Sequence, residues 1–193
     1  LIIRRDVNGT PIHAEFATEM ARQIAAERFP DDVYTRGLRV YTTIIKDDQD
    51  AAHASLRRGV LDYDRRHGYR GAEAYVDLGE TKSEQDEALE ELLLEFQDAE
   101  DLQPAIVLQA DARKISAYRR GGDVITISGD GLKFAARMIE DKAPPNKRLR
   151  RGAIIRVQTD EKNNWRITQM PEVEAAFLSA NPQTGAIRSL IGG

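Results

Sequence analysis

The sequence predicts an α+β fold in which an OB-like antiparallel β-barrel is inserted into a small strand–helix linker subdomain. Three observations carry that expectation. Lys114–Arg119 (KISAYR) and Asp123–Ser128 (DVITIS) alternate with period two and are rich in β-branched residues, the pattern of half-buried strands. Ala105–Asp111 (AIVLQAD) precedes them, and the connections Asp111-Ala112-Arg113 and Arg120-Gly121-Gly122 are short enough to make the three an antiparallel meander. Strand patterns also stand near both ends of the chain, at Leu38–Ile45 and Val173–Ile191, and pairing them would enclose the barrel as an insertion.

Composition bounds the function. The 193 residues suffice for one large domain or two small ones, and 31% charged with 41% apolar residues is ordinary for a soluble globular protein. A net charge of −4 argues against nucleic acid as a partner. The absence of cysteine excludes disulfides and thiolate chemistry. No apolar run reaches membrane-spanning length and no signal peptide opens the chain. Leu1 is not a start residue and the chain stops directly after a strand pattern, so a piece of a longer protein is expected.

Taken in order, Leu1–Thr10 is polar and is expected to be poorly ordered. Thr10-Pro11 reads as a helix cap followed by proline at the first helical position. Phe16, Met20 and Ile24 recur every four residues and predict an amphipathic helix up to Phe29, ended by Pro30. Leu38–Ile45 (LRVYTTII) predicts a strand with Leu38, Val40, Thr42 and Ile44 on one face. Asp47 or Asp48 is the expected cap of a helix over Gln49–His67. Its inner stripe is Ala52, Leu56, Val60 and Tyr63, with Gly68 in the left-handed position after it.

A short strand follows within Ala74–Gly79, then a helix over Glu84–Gln97 capped by Ser83. That helix has Leu89, Leu92, Leu93 and Phe96 inside, and an acidic solvent face including Glu84, Glu87, Glu90, Glu91 and Glu95. After the meander, Gly129-Asp130-Gly131 opens a short helix over Leu132–Glu140, and Lys142–Arg151 is a loop because Pro144-Pro145 cannot continue it. Ala153–Thr159 and Trp165–Gln169 form a hairpin. Val173–Ala180 and Ala186–Ile191 form another, closed by Asn181–Gly185. Six short strands between Tyr75 and Gln169 have about the length of an oligonucleotide/oligosaccharide-binding barrel. Trp165, the only tryptophan, is expected in the core, because Ile167 shares its face.

No constellation for catalysis emerges. His13, His53 and His67 lie far apart in sequence, and Asp50 with His53 is too little for a metal site. The carboxylates form no distinctive pair, and Gly129-Asp130-Gly131 lacks a phosphate-loop lysine. Ser179-Ala180-Asn181 and Gln183-Thr184-Gly185 approximate S-x-N and K-T-G, but no serine has a lysine three residues on, and both lie in one hairpin. No cofactor is expected. The concentrated basic loop, Lys147, Arg148, Arg150 and Arg151, is the candidate partner surface, set against a solvated loop.

Several stretches carry a resemblance. Ala14–Ile24 (AEFATEMARQI), Tyr34–Ile44 (YTRGLRVYTTI) and Ala54–Gly71 (ASLRRGVLDYDRRHGYRG) resemble the class A penicillin-binding proteins of the 1A type. So does Gln169–Gly193, where the family usually has aspartate in place of Asn181; Leu102–Asp111 and Arg150–Val157 are similar to its OB-like insertion. The resemblance implies a parent that is a bifunctional peptidoglycan synthase, a glycosyltransferase with a serine transpeptidase, on the periplasmic side of the bacterial inner membrane. This chain would then hold a helical linker at 1–36, a strand–helix base of the transpeptidase domain at 37–70, the OB-like domain at 71–170 and the opening transpeptidase hairpin at 171–193. No catalytic residue falls within it. The implied partners are the rest of the synthase, peptidoglycan, and a periplasmic or outer-membrane lipoprotein regulator, which in some relatives docks on the inserted domain. The alternative is a nucleic-acid-binding OB domain, which needs stacking platforms; Tyr75, Tyr118, Phe134 and Trp165 are widely spaced.

Overall fold

The computed structural model describes residues 12–78, 85–140 and 142–192. Leu1–Thr10, the Thr10-Pro11 cap and the Ser83 cap lie outside the described residues. The chain divides into two compact units. One comprises residues 1–64 and 172–193, the other Arg65–Pro171, so the second interrupts the first.

In the interrupted unit, α1 spans Glu15–Arg28; α2 spans Lys46–Arg66 and belongs to this unit up to Asp64. The expected inner stripe of α1 faces outward: Phe16 and Ile24 are each 51% exposed, and Ala17 and Ala25 are the buried residues. The alanine side of the helix is the inner one, since Leu38, Val40, Thr42 and Ile44 line a cleft with Ala14, Ala17 and Ala21. Leu38–Ile45 is extended with the expected alternation, but it forms no strand ladder. It is tied to Ile187–Ile191 (β8) by the Ile45 N–H donating to the Arg188 carbonyl (2.9 Å) and the Thr43 hydroxyl donating to the Ile187 carbonyl (2.6 Å).

Helix α2 begins earlier than expected. The Gln49 N–H donates to the Ile45 carbonyl, so Asp47 and Asp48 lie inside the first turn, where they complement the helix dipole, as Arg65 and Arg66 do in the last. Ala52 is buried but Tyr63 is 45% exposed, a departure from the expected stripe. Fully buried Gln49 takes a role the apolar pattern does not show. Its amide donates to the Leu190 carbonyl (2.9 Å) and accepts from the Leu190 N–H (2.8 Å), satisfying both backbone groups of that residue of β8. β7 (Phe177–Ala180) pairs antiparallel with β8. Their turn is held by Asn181 Oδ1, which accepts from the Gln183 and Thr184 N–H groups, and by Gly185 at φ +71.

In the second unit, β1 (Ala74–Tyr75), β2 (Gln103–Ala110), β3 (Lys114–Arg119), β4 (Asp123–Ser128), β5 (Ala153–Thr159) and β6 (Trp165–Thr168) form one antiparallel sheet. The order is β1-β5-β2-β3-β4, with β6 also on β5. β1 pairs with residues 153–154 of β5 and β6 with residues 156–159, so the two share the edge of β5 opposite β2. The expected closed barrel is not formed by strand pairing: β4 and β6 approach each other without a ladder. Between their ends sits the 3-10 turn Gly129–Ala135, where the short helix was expected, followed by one α-turn, α4 (Ala136–Ile139). A Cβ on Gly131 would lie 2.3 Å from the Trp165 carbonyl oxygen and 2.9 Å from Ile127, so glycine is what lets this turn rest on β6.

The central strands are buried on both faces, which explains their continuous apolar runs. Val107, Ala117, Ile155 and Ile167 point into one cluster with Leu132 and Leu149; Ile106, Tyr118 and Ile154 point into another under α3 (Gln85–Leu94), with Leu89 and Leu93. Glu90 is not simply part of a solvent face. Its carboxylate accepts from the Tyr118 hydroxyl and the Gly121 N–H, each at 3.1 Å. Arg120 donates to the Leu93 and Phe96 carbonyls (2.6 and 2.9 Å), placing a cation at the end of α3, as its dipole favours. Arg156, 6% exposed, forks onto Glu73 (2.8 and 3.1 Å) and donates to the Gln97 carbonyl (2.6 Å).

The polypeptide enters and leaves this unit side by side. The Gln169 amide accepts from the Arg70 N–H (2.9 Å) and donates to the Gly68 carbonyl (3.1 Å), while Arg70 also reaches the Met170 carbonyl. On the other unit's side, the Glu172 N–H donates to Asp64 (3.4 Å). Gly68 has φ +88, the left-handed conformation expected there.

Candidate functional site

Two surfaces of the Arg65–Pro171 unit concentrate polar chemistry. The first is the basic loop. Leu149, 1% exposed, pins it to the core, and its N–H donates to the Met138 carbonyl (2.7 Å). Around that anchor Lys147, Arg150 and Arg151 are exposed and Arg148 half-buried. The Arg148 carbonyl accepts from the Tyr75 hydroxyl (2.8 Å), the Arg150 guanidinium lies 5.0 Å from the Tyr75 ring centroid, and Arg151 donates to the Leu78 carbonyl (2.7 Å). Burial raises the Tyr75 phenol pKa, opposed by the Arg150 charge. The four cations therefore surround an ordered turn, with Arg150 and Arg151 engaged on β1 and the segment after it.

The second surface is a polar groove of about 820 Å³ along the seam between β4 and β6. Its walls come from distant parts of the sequence: Arg65 of α2; Thr126 and Ser128 of β4; Asp130, Gly131, Lys133 and Phe134; Asp160 and Lys162–Asn164 of the next turn; and Trp165 and Arg166 of β6. Trp165 is half-buried rather than enclosed. It packs on the inner cluster, with the Arg119 guanidinium 5.2 Å from its ring centroid. Phe134 is likewise half-buried, edge-on to Tyr69 (5.3 Å between centroids) and 5.2 Å from the Arg65 guanidinium.

Both carboxylates in the groove are held ionised by local donors. The Lys133 ammonium, 2.7 Å away, lowers the pKa of Asp130. Asp160 is lowered by the backbone N–H of Asn164; its Oδ1 accepts from the Lys162 and Asn164 N–H groups (2.8 Å each) and so shapes the turn in which Asn163 has φ +60. Arg166 donates to Gln158 (2.7 Å). Four cations, Arg65, Lys133, Lys162 and Arg166, thus face two carboxylates already engaged locally. No contiguous motif announces this groove; Gly129-Asp130-Gly131, legible as a turn, forms part of one wall.

The structure also joins two of the histidines. His13 and His53 stack with ring centroids 3.8 Å apart and planes 7° from parallel. Ser179 and Asn181 serve the β7–β8 hairpin: the Ser179 and Ser189 hydroxyls are 2.7 Å apart, and Asn181 forms the turn.

The second unit is thus an antiparallel sheet with a helix on one face and a seam between β4 and β6 without a ladder. Residues 69–173 match the penicillin-binding protein OB-like domain family. The chain belongs to the class A penicillin-binding proteins, as a segment of the 1A type. It is 38% identical over 181 residues to penicillin-binding protein 1A of Neisseria lactamica, covering 93% of this chain and 22% of that protein. It is 35% identical over 188 residues to penicillin-binding protein 1A of Pseudomonas aeruginosa, covering 94% and 22%. The crystal structure of penicillin-binding protein 1A from Haemophilus influenzae superposes with a TM-score of 0.76 at 28% identity, covering 93% of this chain and 26% of that one. The chain spans about a fifth of the length of the curated relatives it matches.

Proposed function

We propose that this chain is the non-catalytic linker and OB-like module of a periplasmic synthase that polymerises and cross-links peptidoglycan, acting there as scaffold and docking surface. The observation that carries the reading is the side-by-side entry and exit of the Arg65–Pro171 unit, held by Gln169, within a chain that matches 1A-type relatives along 93% of its length. Such an insertion adds surface without rearranging its host. The basic turn Lys147–Arg151 is the part of that surface proposed to meet an acidic protein partner.

Two experiments test the reading. Fluorescent penicillin should leave the 193-residue chain unlabelled; covalent labelling would show a catalytic serine in it. In the parent protein, replacing Arg65–Pro171 by a short flexible linker should preserve penicillin acylation and abolish partner-stimulated cross-linking. Loss of acylation in a folded variant would make the unit part of the catalytic machinery.

A further inference from the structure

We infer that the apolar groove between α2 and residues 173–177 seats an amphipathic helix supplied by the parent polypeptide outside these 193 residues. The inference rests on the proposed function, in which the chain is one segment of a longer synthase. The groove has a volume of about 530 Å³, and its walls include Leu56, Gly59, Val60 and Tyr63 of α2 together with Val173 and Phe177. Leu56, Val60 and Tyr63 belong to the stripe whose spacing assigns it to the inside of the fold, yet of that stripe only Ala52 is buried. Tyr63 is 45% and Phe177 42% exposed. An apolar stripe on a helix is a face that packs against something. Glu174 is the one charged side chain among the described lining residues, so the occupant meets the groove with an apolar face of its own.

Gly59 narrows the occupant to a helix. It lies well inside the 21-residue α2, where glycine is the least favourable residue after proline. A Cβ on it would meet nothing within 4 Å, so no neighbour among the described residues requires a glycine. A close approach from outside the chain would require one. Ser55, Gly59 and Tyr63 form an i, i+4 row beside Leu56 and Val60, and the missing side chain leaves a notch between ridges, the seat that ridges-into-grooves packing offers a second helix. The source follows from length and place. The matched stretch is 22% of each curated relative described above, which leaves most of such a polypeptide to supply the helix. Of the fifteen large apolar side chains exposed among the described residues, twelve lie in the interrupted unit and three in the inserted one, so the uncovered face is on the host. A segment tethered to that host is held near it at millimolar effective concentration, which a free partner or a second copy does not reach.

The test places a benzophenone photo-cross-linking side chain at Ser55, an exposed residue of the groove, in the parent protein and maps the product by mass spectrometry. Cross-links are expected at the mass of one polypeptide, to residues outside this chain's stretch and spaced three or four apart. Cross-links to a second copy, to another protein or to nothing would overturn the inference. Gly59→Ala gives an independent reading. In the 193-residue chain it should raise the melting temperature by about 4 °C through helix propensity alone. In the parent it should lower the melting temperature, because the added methyl group meets the seated helix. A change of the same sign in both, or none in the parent, would overturn the inference. If penicillin acylates the parent but the groove proves open, the inference falls and the proposed function stands. If the parent takes up no penicillin, the proposed function falls whatever the groove holds.

Discussion

Gly152 offers a stability prediction with its own internal control. It immediately precedes β5 with φ +85, its N–H donates to the Val107 carbonyl (2.8 Å), and its carbonyl accepts from the Val76 N–H (2.8 Å). A Cβ at this position would lie 2.2 Å from the Val76 carbonyl oxygen. Carbon–oxygen contacts settle at about 3.3 Å or more, so the backbones must separate by about 1 Å. Gly121 has nearly the same backbone, φ +91, with nothing within 4 Å of its Cβ position. Gly121→Ala therefore isolates the cost of a left-handed alanine, about 1 kcal/mol. Gly152→Ala adds the disruption of two backbone hydrogen bonds at about 1 kcal/mol each, for about 3–4 kcal/mol in all before further strain. That is a large share of the 5–15 kcal/mol typical of a domain. Urea unfolding followed by Trp165 fluorescence reads the Arg65–Pro171 unit directly, since Trp165 is the only tryptophan. Equal midpoints for the two variants at equal m-values would refute the reasoning, because the close approach would then be one the backbone relieves freely.

Three further outcomes are expected. Trp165→Ala should destabilise the same unit by about 2 kcal/mol, below the ~3–5 kcal/mol of a fully buried tryptophan, because its ring is only half covered; calorimetry should meanwhile show Arg150→Ala within about 1 kcal/mol of the parent. Arg156→Met should cost about 3 kcal/mol in a denaturant titration, the lower end for a broken buried pair, since Glu73 keeps 26% of its side chain in water. Burial raises the Tyr69 pKa, with the Glu73 charge adding to it. The unfolded chain therefore releases that proton first, and the contribution of Tyr69, complete below about pH 10, is lost as pH rises beyond it. Tyr69→Phe should flatten the alkaline limb of the stability–pH curve, and an unchanged limb would show that the phenol titrates normally.

The meander was legible because both of its physical causes are local. Alternation at Lys114–Ser128 chooses the buried face, and Gly121-Gly122, at φ +91 and +86, supplies a turn other residues resist. The β5–β6 hairpin was legible from its two apolar runs across a polar turn, whereas of the expected strand Val173–Ala180 only Phe177–Ala180 pairs with β8. What the sequence hid depends on distant neighbours. The Phe16/Met20/Ile24 spacing predicts a helix correctly but not which side is covered, since the extended segment Leu38–Ile44 lines a cleft with the alanines. Sharing of one β5 edge by β1 and β6 leaves no local trace, and neither does the seam between β4 and β6. The polar groove was invisible for that reason: Arg65, Thr126, Lys133 and Lys162 meet only because the sheet brings four separate stretches together. The basic turn was legible as a charge run, but its anchoring through Leu149 and Tyr75 was not.

The paired chain at Gly68–Arg70 and Gln169–Met170 has a thermodynamic consequence for the host unit. When Arg65–Pro171 is folded, Gln169 already holds the two ends of that stretch together. When it is unfolded, the host must bring together the ends of a flexible loop of about 107 residues, an entropic demand of about 4 kcal/mol. Melting the insertion therefore draws on the stability of the helices and hairpin that flank it. Damage to the sheet would be felt by the host as a looser closure between Asp64 and Glu172.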